Sequence, residues 1–497
     1  MNPSPLLTSG LTALLLTVSG TARAADQFAG KAYYYGDPHA HTGLSHDGWS
    51  SDLGDGCPSE GECGAFADAF NIATDNGLDW VVLSDHVNGM YATTPAEFAT
   101  LLDASVNASG LSDLLVIPGV EDWFASGGVE IGHKNLLLFG APEVLADLDL
   151  SDVQPNGDST VEVGACPAIP AWMDGLTAAF GPALLIPHHP MVENPMPTDW
   201  SCNAGAYEPA VEMFSSWGTG LGWDRDFDTP STLVESGAVD VAMDPEGYDL
   251  HLGFLAGTDG HSTLPGDLCK PVGGGRVNTG GLTMAVIAEG TPFDRTALYD
   301  AIRLHRTIAT SGPRIPLSVF ASDTHGDTWS LGQDIALPAG DSLTIGVQVP
   351  ESDAHVITGV WLVTPDGDLP LSPTAADTWS LNLADDALPA WGYLAVQIDG
   401  SPLDLCDDAD DTDEEWEWAS PSWMRRVDHD WDADGLSFDD GDCDDADPTV
   451  TTCAQRRTCG CDAGAGQPLF AGLLLTSWVA FQRRRPTSRV RIYTGGR

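Results

Sequence analysis

The residues best suited to chemistry are Gly36-Asp37-Pro38-His39-Ala40-His41-Thr42 and, far downstream, Thr258-Asp259-Gly260-His261. Two histidines separated by one residue on an extended segment point the same way, because strand side chains alternate. Both imidazoles can then reach one cation. The distant Asp-x-His repeats that spacing with a carboxylate and an imidazole. Between them lie Ser84-Asp85-His86, Gly119-Val120-Glu121, Gly132-His133 and Pro187-His188-His189-Pro190, each ending or following an apolar run. Nine of the 13 histidines fall between positions 39 and 261, a concentration that points to a multinuclear metal site. Imidazole and carboxylate without thiolate suit Zn²⁺, Mn²⁺ or Fe²⁺. Water between two such dications has its pKa lowered toward neutrality, and the ions also take charge developing on a phosphoryl or carbonyl oxygen. Asp85 or His188 is the candidate catalytic group for protonating a leaving group.

The elements that must position these residues are short. Asp79–Leu83, Leu114–Ile117, Leu136–Phe139, Ala183–Ile186 and Leu252–Ala256 are apolar runs bounded by turn residues, the pattern of buried parallel strands. Helical patterns alternate with them through residues 31–314. Each chemistry-bearing residue sits at or just after the C-terminal end of such a run, the face on which α/β barrels build their sites. The expected fold class is therefore α/β, with a barrel over 31–314.

In order, Gly36-Asp37-x-His39-x-His41-Thr42-x-x-Ser45-x-Asp47-Gly48, Leu83-Ser84-Asp85-His86, Pro118-Gly119-Val120-Glu121, His133-x-Asn135, Pro187-His188-His189-Pro190 and Gly257-Thr258-Asp259-Gly260-His261 resemble the motifs of the PHP (polymerase and histidinol phosphatase) superfamily. Arg306-Thr307-x-Ala309-Thr310-Ser311-Gly312-Pro313-Arg314-Ile315 fits as a closing motif. The resemblance covers about residues 31–315 and is to a large, mostly uncharacterised branch. It implies a distorted (β/α)7 barrel binding two to three divalent transition metal ions (Zn, Mn or Fe). Carried over by position, it implies one ion on His39, His41, Glu121 and Asp259. Glu121 would bridge to a second ion on His133 and His189, and a third would sit on Asp47, His86 and His261. Pro38 and Ser84 depart from the family pattern, which usually has an aliphatic residue and Thr there.

Neighbouring residues read differently. His46 competes with Asp47 for the third ion, since adjacent strand residues face opposite ways. His188 is expected as a donor beside the ligand His189, and Asp37 as an orienter of a histidine. Lys134 is a substrate contact or one half of a surface salt bridge, and Arg314 an anion contact at the mouth of the site. His251, His305, His325, His355 and His429 are expected to be structural.

The remaining chain is organised around this unit. Residues 315–425 carry alternating strands between Pro/Gly/Asp turns, the pattern of a small β-sandwich interrupted by the acidic insert Asp404–Glu417. Over 428–450, Asp430, Asp432 and Asp434 alternate before Gly435, as in a calcium loop lacking its final Glu. Residues 459–485 place Cys459-Gly460-Cys461, a short apolar run and Arg483-Arg484-Arg485 in the order that resembles a MYXO-CTERM sorting tail of myxobacterial surface proteins. Residues 1–24 read as a secretory signal, with Leu11–Val18 before Ala22-Arg23-Ala24. Ten cysteines suit an exported, oxidising location. Cys57 with Cys63 and Cys166 with Cys202 are natural pairs, though sequence does not set connectivity.

A net charge of −53 with three lysines excludes nucleic acid and anionic lipid as partners. The membrane enters only through the C-terminal segment. The expectation is a secreted, surface-attached hydrolase of phosphate esters on small molecules or polymers. An amide or carboxylic ester hydrolase, or a non-catalytic calcium-binding adhesion protein, stands as the alternative.

Overall fold

Short apolar strands supply the frame. Trp80–Leu83, Ala183–Pro187 and Gly253–Ala256 are buried at every residue, which only strands covered on both faces can be. The computed structural model describes residues 25–427 apart from 54–62, 89–90, 109–112, 127–128, 155–160, 163–165, 167, 194–195, 222–232, 269–279, 352–354, 376 and 400–414. The signal-like segment, Cys57, most of the acidic insert, the loop of Asp430, Asp432 and Asp434, and the 459–485 tail lie outside the described residues.

The strand order corrects the expected barrel. Lys31–Ala40, Trp80–Leu83 and Leu115–Ser126 run parallel, as a βα repeat requires. Leu115–Ser126 then turns straight back into Val129–Leu138 as an antiparallel hairpin, and Val129–Leu138 pairs antiparallel with Ala183–Pro187. Leu282–Ala288 is antiparallel to both Lys31–Ala40 and Thr307–Thr310. Gly253–Ala256 and Ala210–Ser215 form a parallel pair in a separate three-stranded sheet. Strand outweighs helix, 40% to 22%, so the chain is a mixed α/β protein built on large sheets, not a (β/α)7 barrel. The reason is connection length: the two residues between Ser126 and Val129 cannot hold the dozen or more that a parallel crossover needs. Apolar runs bounded by turns look alike in either orientation.

The sandwich expectation also changes. Thr307–Thr310 pairs with Glu415–Ala419, which pairs with Trp391–Asp399, so one 15-stranded sheet runs from the first half of the chain into the second. A five-stranded sheet that includes Ser318–Ser322, Ser342–Gln348 and Thr378–Ala384 stands beside it. Leu343, Ile345 and Val347 share a core with Val360, Leu394 and Val396, and equally with Tyr33, Tyr35 and Met284. Pairing hides the edge that Thr307–Thr310 would otherwise expose.

Helices cover the outside. Pro95–Ala108 buries Phe98, Leu101 and Leu102, one helical stripe. Arg295–Arg303 starts where Asp294 accepts a hydrogen bond from the Ala297 amide at 2.9 Å, an N-cap. Among the described residues, no helix is long and apolar enough to cross a membrane.

Candidate metal centre

Strands and the turns that follow them converge on one buried cluster, with Glu121 and His133 inside their strands. Lys31–Ala40 delivers His39 and leads into His41, Trp80–Leu83 leads to His86, the 115–138 hairpin presents Glu121 and His133, and Ala183–Pro187 leads to His188 and His189. Gly253–Ala256 leads to Asp259 and His261. Backbone hydrogen bonds lace these ends together: Asp259 N–H donates to His39 O and His41 N–H to Gly260 O, both at 2.8 Å, and Glu121 N–H to Asp85 O at 3.1 Å.

Glu121 is at the centre. Its Oε2 lies 3.1 Å from His39 Nε2 and 3.0 Å from His41 Nε2. Its Oε1 lies 2.7 Å from His133 Nδ1, 3.2 Å from His188 Nε2 and 3.5 Å from His86 Nδ1. One carboxylate thus serves two sets of imidazoles, one with each oxygen. Asp259 Oδ1 joins the first set, 3.5 Å from Nε2 of both His39 and His41 and from His261 Nδ1. Asp47 Oδ2 is 3.0 Å from His261 Nε2 and 3.3 Å from His86 Nε2.

The nine ligands expected from the sequence are therefore all drawn into one region. His188 is drawn in too, grouped with Glu121, His133 and His189 within the reach of a single ion. Metal bonds of about 2.0–2.2 Å set neighbouring ligand atoms about 3 Å apart, and these separations match. The protein thus has buried His/Glu/Asp groups that could hold metal ions.

Electrostatics divide the histidines of the cluster. Burial lowers the pKa of His133 to about 4, and burial with the adjacent His188 and His133 lowers that of His189 well below the ordinary histidine value. Neutral imidazoles have lone pairs to give. Burial opposes a charged Glu121, yet His86 and His188 outweigh it and hold its carboxyl well below the usual range. Burial likewise opposes His39⁺, but Asp259 and Glu212 raise its pKa well above normal. So many ionisable groups under 7% exposure are costly without a compensating charge. His189 (φ 33°) and Asp259 (φ 47°) both have positive φ, uncommon for residues other than glycine.

A second layer fixes the ligands. Glu212, from the Ala210–Ser215 strand, places Oε2 3.1 Å from His39 Nδ1, the carboxylate–imidazole arrangement that orients metal-binding histidines. A Cβ at Gly257 would come within 2.5 Å of Glu212 Oε2 and 2.9 Å of His39 Cβ, so glycine is needed for this approach. The sequence reading missed Glu212. Its signal was a lone carboxylate inside the apolar run Ala210-Val211-Glu212-Met213-Phe214.

Asp37 meets backbone and a hydroxyl, with no hydrogen bond to an imidazole. It accepts from His39 N–H, Thr258 N–H, Thr258 Oγ1 and Gly266 N–H at 2.7–3.1 Å, tying the first motif to the last. Asp85 has both oxygens engaged by the turn that follows His41. Oδ1 accepts from Thr42 N–H (2.7 Å), Ser45 Oγ (2.7 Å) and Ser45 N–H (3.2 Å), and Oδ2 from Thr42 Oγ1 (2.7 Å). Ser45 Oγ in turn accepts from His86 N–H at 2.9 Å.

Other side chains lie elsewhere. His46 is half exposed, 3.6 Å from Glu97, and leaves Asp47 alone at the cluster. Lys134 points away from His133 and forms a buried ion pair with Glu208, not a surface one. Strand alternation sends it to the opposite face. Arg314 donates to the backbone oxygens of Gly77 (2.9 Å) and Asn76 (2.7 Å), closing the end of the Ala69–Asp75 helix instead of facing an anion. Cys166 is joined to Cys202. No protein-family model and no curated protein matches this chain.

Proposed function

We propose that the chain is an exported metal-dependent hydrolase of phosphate esters, working with two to three Zn, Mn or Fe ions. The observation that supports this most is Glu121, each of whose oxygens faces its own set of imidazoles. Shared carboxylates of this kind let two dications stand close together, because the negative charge between them screens their repulsion. The ions supply the acidity that makes water a nucleophile near neutral pH and the charge that stabilises developing oxyanions. The motif resemblance to the PHP superfamily supports the same reading, although the barrel that goes with it is not the fold found.

The chain's own residues have separable jobs in this proposal. His39, His41, Glu121 and Asp259 hold one ion. Glu121 with His133, His188 and His189 holds the next, and Asp47, His86 and His261 hold the third. Glu212 and Asp37 keep His39 and the 258–261 turn in place. Asp85, with four donors on its oxygens, holds the Thr42–Ser45 turn.

The test is metal analysis of the purified chain together with turnover of a generic phosphomonoester and phosphodiester. Two to three transition-metal ions per chain, lost with turnover in His39→Ala and Asp259→Ala, are expected. Full metal without phosphate-ester turnover would shift the reading to an amide or carboxylic ester bond. Metal at background would remove the site.

A further inference from the structure

The side chains of the cluster are not equally closed off. Asp47 is 22% exposed, whereas the cluster imidazoles and the carboxylates Glu121 and Asp259 are at most 6% exposed. Asp47 also stands apart in its contacts. Its Oδ2 meets His261 Nε2 at 3.0 Å and His86 Nε2 at 3.3 Å, the spacing of ligand atoms around one ion. Its Oδ1 has no hydrogen-bond partner and so is free to reach a cation. The trio is held in place before any ion arrives: Gly48 N–H donates to Ser45 O at 3.0 Å, and Trp49 N–H to His261 O at 2.9 Å. The turn that carries Asp47 is thereby fastened to the segment of His261.

The same two rings look inward with their other nitrogens. His86 Nδ1 lies 3.5 Å from Glu121 Oε1, and His261 Nδ1 3.5 Å from Asp259 Oδ1. Each ring thus separates Asp47 from a buried carboxylate. His41 marks the inner side of this boundary, with its ring 3.9 Å from that of His261 but its Nε2 turned to Glu121 Oε2 at 3.0 Å. Charge makes the two sides unequal. Taking a cation away from Glu121 or Asp259 strands a carboxylate in a buried site, which is costly. Taking one away from Asp47 leaves a carboxylate that water can reach, and Glu121 and Asp259 keep the imidazoles of His39 and His41 beside them.

We infer that Asp47, His86 and His261 form an exchange site, whose ion equilibrates with free divalent metal in solution while the ions on Glu121 stay, and whose occupancy sets the activity. This rests on the metal-dependent hydrolase reading above and adds a regulator to it, the free divalent cation. Occupancy of such a site follows the free concentration by mass action. Activity follows occupancy because Asp47 marks the side of the cluster that solvent reaches, where a substrate arrives.

The experiment dialyses the full chain against stepped free Zn²⁺, and in parallel Mn²⁺, each set by a chelator buffer. Bound ions per chain are counted by mass spectrometry, and turnover of a generic phosphodiester is measured at every step. Two ions are expected at the lowest steps and a third at a free concentration about tenfold or more higher, with turnover rising alongside the third. Asp47→Asn should keep the two-ion step and lose the third, with turnover held at the two-ion level. Its melting temperature is measured alongside; where the variant is misfolded, the two-step filling of the native chain decides. Three ions filling in one step, a native chain that stops at two, or an Asp47→Asn chain that loses the two-ion step would each overturn the inference and leave the metal centre standing. Turnover indifferent to the third ion would overturn the regulatory role. Two-step filling with no ester turned over would remove the hydrolase reading and uphold the exchange site, whereas no bound metal at any step removes both.

Discussion

Among the described residues, two places bring histidine and carboxylates within reach of one ion, and they differ in nearly everything else. Around Glu121 the imidazoles of His39, His41, His133 and His188 are at most 3% exposed. In the second half of the chain, Asp323, His325 and Asp341 also cluster, but His325 is 59% exposed and its Nδ1 lies 2.8 Å from Asp341 Oδ2. Asp323 spends Oδ1 on the backbone N–H groups of His325, Gly326 and Asp327, a turn-forming use. Residue type is the same in both. What separates them is desolvation, and the buried cluster has Glu212 behind His39 and Asp37 behind the 258–261 turn.

The comparison is broken most severely by removing its centre. Glu121→Ala should cost bound metal and reduce turnover on the order of 10³-fold or more, since both imidazole sets lose their shared oxygen donor; metal content and turnover measured together would check it, and unchanged metal would refute the bridging role. Buried and exposed charge can be compared without the metal at all. Lys134→Met leaves Glu208 buried and unpaired and should destabilise by about 3–5 kcal/mol in denaturant unfolding. His325→Ala should change stability by less than about 1 kcal/mol and leave metal content as it was.

The supporting layer is tested more gently. Glu212→Gln keeps the shape but removes the charge facing His39, and a drop of about 10–100-fold in metal affinity is expected from competition with a chelator. An unaltered affinity would mean that the Glu212 contact is mere packing.

A smaller effect concerns Glu417, which lies outside both clusters. Burial raises its pKa well above the ordinary 4.5, and its Oε1 accepts from Ile315 N–H at 2.8 Å. The folded state therefore keeps a proton that the unfolded chain releases. Its stabilising contribution is complete below about pH 4.5 and declines as pH rises toward the raised value, by about 1.4 kcal/mol per pH unit. Glu417→Gln should gain on the native chain by that slope in unfolding titrations above pH 4.5. Parallel stability curves would show that Glu417 is charged in the fold.

How much of this was legible beforehand depends on the kind of information each feature carries. The candidate ligand set was readable because metal chemistry restricts residue type, and because strand alternation makes His-x-His and Asp-x-His meaningful over a few residues. That His39, His41, His189, Asp259 and His261 sit at or just after the ends of apolar runs could also be read locally, whereas Glu121 and His133 lie within strands. Strand direction could not: Leu136–Phe139 reads as a buried strand whether it runs with Leu115–Ser126 or against it, and only the short link after Ser126 decides. The continuation of the sheet from Thr307–Thr310 into Glu415–Ala419 is a pairing across more than a hundred residues, invisible to any local pattern.

The sequence by itself singled out most of the side chains that gather in the buried His/Glu/Asp groups, and it sets the chain's net charge of −53. Tertiary structure alone decided that His188 joins His189 at Glu121, that His46 turns outward, and that Glu212 stands behind His39. It also decided that Asp85 is consumed by the Thr42–Ser45 turn. The division has one physical cause. Ligand chemistry and strand periodicity act over a few bonds along the chain, whereas desolvation, bridging and orientation depend on what distant segments place within about 3 Å of an atom.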